Sequence, residues 1–325
     1  KEAHIKVASL LNVEPGNIIF TSGGSESNNM FMKGLIFKKT SINSKNRILF
    51  SKFEHKSIST IMSKFVFPQI SYAYAPSFTS LLDEVKESRD IIGFSHIYAQ
   101  NETGVVYNQL LHLFEDIKKI NPSILLHSDM SQVIGKTKMP ELDAFDAVTF
   151  SSHKIGGPLG CGILYLKNPS SISPLIHGGT QEFQLRAGTY NVPGIVGMAK
   201  AIEMSINLDF TEMVNLRNYM IDQIFKMHNS KLISNTDKLL ANTAAMILEG
   251  ANAKSLVENL SKFGVYISRG SACNSVNASP SDIYLAAGFT EREANSTIRI
   301  SLNRWTTKED IDYFLSKLRY CLNRL

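Results

Sequence analysis

The sequence predicts an α/β protein: a mostly parallel sheet covered by helices on both faces, followed by a smaller α+β region. Three observations predict it. Short apolar runs alternate with helical patterns through the first part of the chain, as expected of strands buried on both faces. Small and polar residues follow directly after most of those runs. Near residues 195–225 the alternation stops and a long helical pattern replaces it.

In chain order, Ile5, Val7, Ala8, Leu10 and Leu11 mark an opening helix. Residues 18–20 read as a strand entering the Gly-rich turn Ser22-Gly23-Gly24-Ser25. Residues 47–50, 91–94, 124–127, 147–150 and 162–166 read as further strands, with 107–120 among the intervening helices. Ala199, Ile202, Met204 and Ile206 belong to one long helix that continues past Asp209. Residues 243–249 and 264–268 read as strands, and 308–324 as a terminal amphipathic helix. The expected division is a large domain over 1–207 and a small domain over 208–325.

The bulk properties exclude several classes. Of the 325 residues, 43% are hydrophobic and 19% charged, an ordinary globular composition. The net charge of +5 is spread along the chain, and no dense Lys/Arg run suggests a nucleic-acid surface. No apolar stretch is long enough to span a bilayer, and no secretory signal opens the chain. The 3 cysteines, Cys161, Cys273 and Cys321, are widely spaced and form no disulfide framework or CxxC metal site. A reducing cytoplasm is the expected compartment. Cys161 and Cys321 read as packed structural thiols, whereas 269–281 (RGSACNSVNASPS) is small and polar and reads as a mobile surface loop.

In an open parallel sheet, ligands bind beyond the carboxyl ends of the strands. There the chain places Gly24 and Ser25, then His55, Asn101, Asp129 with Gln132, and Ser151, His153 and Lys154. Singly, each has a bland reading: a turn, a helix cap, a surface lysine. Together they suit one cofactor. A lysine forms an imine with an aldehyde. A carboxylate keeps a pyridine nitrogen protonated and the ring electron-withdrawing. Serines, a histidine and a helix N-terminus bind phosphate. That is a site for pyridoxal 5'-phosphate.

The motifs TSGGSESNN (21–29), EHKSI (54–58), QNETGVV (100–106), HSDMSQVIGK (127–136), SSHKIGGPLGCGILY (151–165), GGTQEFQLRAGTYNVPGIVG (178–197), GSACNS (270–275) and SLNRWTT (301–307) occur in this order. They resemble the group I cysteine desulfurases of the nitrogen-fixation and iron–sulfur cluster assembly type. Those are fold-type I pyridoxal phosphate enzymes of the class V aminotransferase family. The resemblance implies a seven-stranded-type sheet in the large domain and a small domain carrying the catalytic cysteine. It implies Lys154 as the lysine that bonds the cofactor, Asp129 on its ring nitrogen and Gln132 on its ring hydroxyl. His55 would stack on the ring and move protons. Gly24, Ser25, Ser151 and His153 would hold the phosphate, and Thr189 would reach the phosphate of a second subunit in a homodimer. Asn101 and Arg304 would hold the carboxylate of L-cysteine. Cys273 would take the substrate sulfur as a persulfide, release alanine and pass sulfur to an acceptor such as an iron–sulfur scaffold. The chain opens at Lys1 inside a helix, so a family segment preceding it is expected to be missing. The same residues leave open a selenocysteine lyase or other C–S lyase, and a non-catalytic relative that binds a scaffold.

Overall fold

The structure, a computed structural model, describes residues 1–39, 46–64, 70–75, 78–270 and 280–324. It divides into two compact units, one of Lys1–Ala99 with Tyr107–Leu208, the other of Gln100–Val106 with Asp209–Leu325.

The first unit runs α1 (Glu2–Leu11), β1 (Ile18–Thr21), α2 (Gly24–Lys39), β2 (Asn46–Ser51), α3 (Lys56–Lys64), β3 (Ile70–Ala75) and α4 (Phe78–Glu87). It continues through β4 (Ile91–Ser95), α5 (Leu110–Ile120), β5 (Leu125–Asp129), β6 (Ala147–Ser151), β7 (Gly162–Leu166) and α6 (Val192–Ser205). Its 7 strands form one sheet in the order β1-β7-β6-β5-β4-β2-β3. The pairs β2·β3, β2·β4, β4·β5 and β5·β6 are parallel. The β7 strand is antiparallel to both β6 and β1. Two reversals restore the direction, so β1 points the same way as β2, β4, β5 and β6. Their carboxyl ends therefore share one edge of the sheet.

The strands sit centrally because their sequences are apolar without alternation. Every residue of β6 and of β7 is buried. On one face, α2 contributes Met30, Phe31 and Leu35 to a core with Ile19, Phe50 and Leu164. Burial of each large side chain of this kind is worth about 1.5–3 kcal/mol. A glycine sets one close approach: a Cβ on Gly162 would lie 2.5 Å from the carbonyl carbon of Gly23. The turn before α2 is thereby held against β7.

The second unit contains α7 (Thr211–Met227), β8 (Ser230–Leu232), β9 (Thr243–Leu248), α8 (Ala253–Ser261), α9 (Asp282–Ala286), α10 (Glu291–Asn295), β10 (Thr297–Ser301) and α11 (Lys308–Leu322). Its 3-stranded antiparallel sheet has the order β10-β9-β8.

The mostly parallel α/β class holds, and several elements differ from expectation. Residues 264–268 are not a strand; only Ser268 forms an isolated bridge, to Arg299. The second-unit sheet is instead completed by β8 and β10, which the sequence reading passed over. The long helix through Ile206 is two helices, because Asp209 Oδ1 accepts from the Thr211 N–H and hydroxyl and starts α7 afresh.

Candidate active site

At the shared strand edge of the first unit, the start of α2 meets the ends of β5 and β6. A Cβ on Gly24 would lie 3.1 Å from Ser131 Oγ and 3.4 Å from Ser151 Cβ, so the glycine keeps this corner uncrowded. The first N–H groups of an α-helix have no intrahelical partner and face whatever occupies such a corner. Ser151, at the end of β6, is hydrogen-bonded through Oγ to His153 Nδ1 at 3.0 Å. His153 and Lys154 ride on a 3-10 turn, Ser152–Ile155, closed by Gly156 in the left-handed region (φ 78°). Partial burial lowers the His153 pKa, and the charges of Lys154 and Lys136 lower it further. With a helix N-terminus in the same corner, these two ammonium charges favour an anion. Ser25, His153 and Lys154 are exposed.

Asp129, at the end of β5, is buried and its carboxylate is oriented from two sides. Oδ1 accepts from the Ser131 N–H at 2.9 Å, and Oδ2 from Asn28 Nδ2 at 2.8 Å. The same Asn28 nitrogen donates to Ser57 Oγ at 2.8 Å. Ser57 in turn meets His55 Nδ1 twice, through Oγ at 2.8 Å and through its backbone N–H at 3.1 Å. A backbone N–H can only donate, so Nδ1 accepts and the neutral His55 ring carries its proton on Nε2. Gln132 Oε1 accepts from Lys136 Nζ at 2.5 Å, which leaves its amide N–H₂ as the donor for a ring oxygen.

Behind Asp129 lies a second, fully buried network. Thr149 Oγ1 meets His127 Nε2 at 3.1 Å, and His127 Nδ1 meets Ser95 Oγ at 2.8 Å. The Ser95 hydroxyl donates to Glu54 Oε1 at 2.6 Å. Burial pushes His127 down to about 4, so it is neutral, and its ring stacks on Phe31 at 4.8 Å. Burial pushes Glu54 up to about 8; the Ser95 hydrogen bond opposes this and the Asp129 charge adds to it. At neutral pH Glu54 is therefore a protonated acid, and Asp129 has no second carboxylate charge from Glu54 beside it.

In the second unit, Asn101 sits on Gln100–Val106, and its carbonyl accepts from Arg299 Nη1 at 2.8 Å. The neighbouring Glu102 is buried and accepts from the Ser281 hydroxyl at 2.6 Å. A Cβ on Gly270 would lie 3.1 Å from the same carboxylate. Cys273 lies outside the described residues, but Gly270 and Ser281, on either side of it in sequence, both meet Glu102 beside Asn101. Arg304 is half-buried, with its guanidinium 5.3 Å from the Trp305 ring centroid. In the first unit, Thr189 is exposed. Cys161 is buried and receives Asn191 Nδ2 at 3.5 Å on its sulfur, and Cys321 is buried on α11; both are packed thiols.

The sequence reading named Asp129 and His55 but missed Asn28, Ser57, Glu54 and His127 as their supports. One signal was available: Asn28 is four residues after Gly24, hence on the same face of α2.

The Aminotransferase class-V family model matches residues 1–314. A cysteine desulfurase IscS of Methanosarcina thermophila is 33% identical over 334 residues, covering 99% of this chain and 81% of that relative. A solved NifS-like protein superposes with a TM-score of 0.90 at 32% identity, covering 100% of this chain and 87% of its own. A solved structure of SspA in complex with cysteine superposes with a TM-score of 0.77 at 30% identity, covering 94% of this chain and 87% of its own.

Proposed function

The chain belongs to the class V aminotransferase family, and from that membership we propose that it is a pyridoxal phosphate-dependent cysteine desulfurase. It converts L-cysteine to L-alanine and carries the sulfur as a persulfide on Cys273 for iron–sulfur cluster or thio-cofactor assembly. The observation that carries the reading is the strand edge where Asp129, His55, Lys154 and an anion corner belong to one unit.

The donor set fits the cofactor. The corner at Gly24, Ser25, Ser151 and His153 suits a phosphate, and a buried carboxylate suits a protonated ring nitrogen. Gln132 would donate to the ring hydroxyl, and Lys154 would be the amine that bonds the aldehyde carbon. When bound, pyridoxal phosphate withdraws electrons from the α-carbon of an attached amino acid. The residues then act in order. Asn101 and Arg304 bind the substrate carboxylate, the arginine through its planar fork. Lys154 Nζ, as a free amine, would take the α-proton. His55 holds a transferable proton on Nε2. The Cys273 thiolate attacks the substrate sulfur, so that an S–S bond forms while the Cβ–S bond breaks and its electron pair stays with carbon. Proton transfer to that carbon, and return of a proton from Lys154 Nζ to the α-carbon, would yield alanine, and the second sulfur would remain on Cys273.

A homodimer completes the reading. Leu159, Phe183, Tyr190, Val192 and Val196 are large apolar residues left exposed in the first unit, and Tyr190 and Val192 follow the exposed Thr189 closely in sequence. Their exposure supports a surface covered by a second copy, with Thr189 serving that copy's phosphate. The expected result for a Cys273→Ala variant is that alanine production from L-cysteine is lost while the visible absorbance of the bound cofactor is kept. Undiminished alanine production by that variant would refute the assignment of Cys273.

A further inference from the structure

We propose that Asn28 is a positioning residue that ties the Asp129 carboxylate and the His55 ring into one oriented unit, with Ser57 as the relay. The inference rests on the pyridoxal phosphate reading of the site. Three observations carry it, all within the first unit.

The first is directionality. A carboxylate only accepts, so the Asn28 amide must turn its N–H₂ toward Asp129 Oδ2, 2.8 Å away. Its other hydrogen goes to Ser57 Oγ at 2.8 Å. Ser57 Oγ, now an acceptor from Asn28, directs its own hydrogen to His55 Nδ1 at 2.8 Å. The Ser57 backbone N–H donates to the same atom at 3.1 Å. Every hydrogen in the chain therefore has one destination; the chain fixes the Asp129 rotamer, and its Ser57 hydroxyl joins the backbone N–H in holding the orientation of the His55 ring.

The second is that the arrangement is poor if stability is its only purpose. Asn28 is 0% exposed, yet its Oδ1 makes no hydrogen bond among the described residues. A buried bare acceptor is destabilising. Flipping the amide would turn this oxygen on the Asp129 carboxylate, so the carboxylate dictates the orientation at the cost of the bare acceptor. The third is placement. Asn28 lies in the second turn of α2, the helix whose start forms the anion corner, so one helix positions parts that would touch three regions of the cofactor.

The test uses the wild-type protein loaded with pyridoxal phosphate beside Asn28→Ala, Ser57→Ala and Ser57→Thr. Apparent cofactor affinity, the visible spectrum, and kcat and KM for L-cysteine are measured on each. Asn28→Ala is expected to bind the cofactor about tenfold more weakly, the worth of one charge-assisted hydrogen bond, with a shifted absorbance band. Ser57→Ala leaves the Asn28–Asp129 bond intact; it is expected to keep cofactor affinity within about twofold and to lower kcat more than KM. Ser57→Thr keeps the hydroxyl and is expected to restore kcat. Wild-type affinity and spectrum in Asn28→Ala would overturn the proposal. If Asn28→Ala does not fold, the Ser57 pair decides: unchanged kcat in Ser57→Ala overturns the relay. A wild-type protein that takes no cofactor colour overturns the site reading itself, and the positioning role with it.

Discussion

Glu54 is a carboxylic acid that the fold keeps protonated. Burial raises it to about 8, against the Ser95 hydrogen bond that lowers it and with the Asp129 charge that raises it. The unfolded chain loses this proton near the ordinary value of 4.5, while the folded protein holds it. The stabilisation from Glu54 is therefore complete below about 4.5, declines as pH rises and is lost by about 8, with a slope of at most about 1.4 kcal/mol per pH unit. Glu54→Gln keeps the shape and cannot ionise. The stability difference between wild type and Glu54→Gln is expected to fall steadily across that window in chemical denaturation. A flat difference would mean that Glu54 is charged in the folded state. At this scale the sequence was half legible. The placement of Lys154, Asp129, His55 and Ser151 at or just after strand ends was readable, because strand ends are local features. Glu54, Asn28 and His127 were not, because their partners are fixed by the fold: Asn28 and Asp129 are 101 residues apart.

The segment before Thr189 contains an unusual element. Glu182, Phe183 and Gln184 have φ of 44°, 57° and 68°, a left-handed turn built without glycine. Each such residue costs roughly 1–2 kcal/mol. Glu182 holds the turn in place. Its buried Oε2 accepts from the Phe20 N–H at 2.7 Å and is 3.0 Å from His4 Nε2, and its own N–H donates to the Tyr190 hydroxyl oxygen at 3.1 Å. Arg186 adds a two-point bond to Glu26 on α2, at 2.8 and 3.2 Å. Glu182→Ala bares the Phe20 N–H and is expected to lower unfolding free energy by about 2 kcal/mol. Gln184→Gly relieves the backbone and is expected to raise it by up to about 1 kcal/mol. No loss in the first variant would mean that other contacts set the turn. Nothing in the residue types announces this conformation, since glutamate, phenylalanine and glutamine ordinarily avoid it. The missed strands have similar causes. The edge strand β3 (ISYAYA) alternates tyrosine with serine and alanine after one isoleucine and lacks the branched aliphatic run of a central strand. The β10 strand (TIRIS) alternates, with Ile298 and Ile300 buried.

For the whole molecule, the fold class was legible because it depends on the order of apolar runs and not on their boundaries. The second unit was less legible, because its sheet joins strands far apart in sequence, Ser230–Leu232 and Thr297–Ser301 across β9. The surface carrying Val192 and Val196, 58% and 56% exposed and one helical turn apart on α6, belongs to this scale too. On the proposed dimer, Val192→Asp with Val196→Asp is expected to give a monomer in sedimentation and to weaken cofactor binding, because Thr189 would then have no partner subunit to serve. A double variant that sediments as wild type would move the interface elsewhere. The desulfurase reading itself meets its most direct test in a single turnover: cofactor-loaded protein is mixed with L-cysteine, alanine is quantified and the protein is mapped by peptide mass. The expected result is one alanine per active site and one added sulfur atom on the peptide containing Cys273. Alanine without sulfur on that peptide, or neither product from a yellow protein, would contradict it.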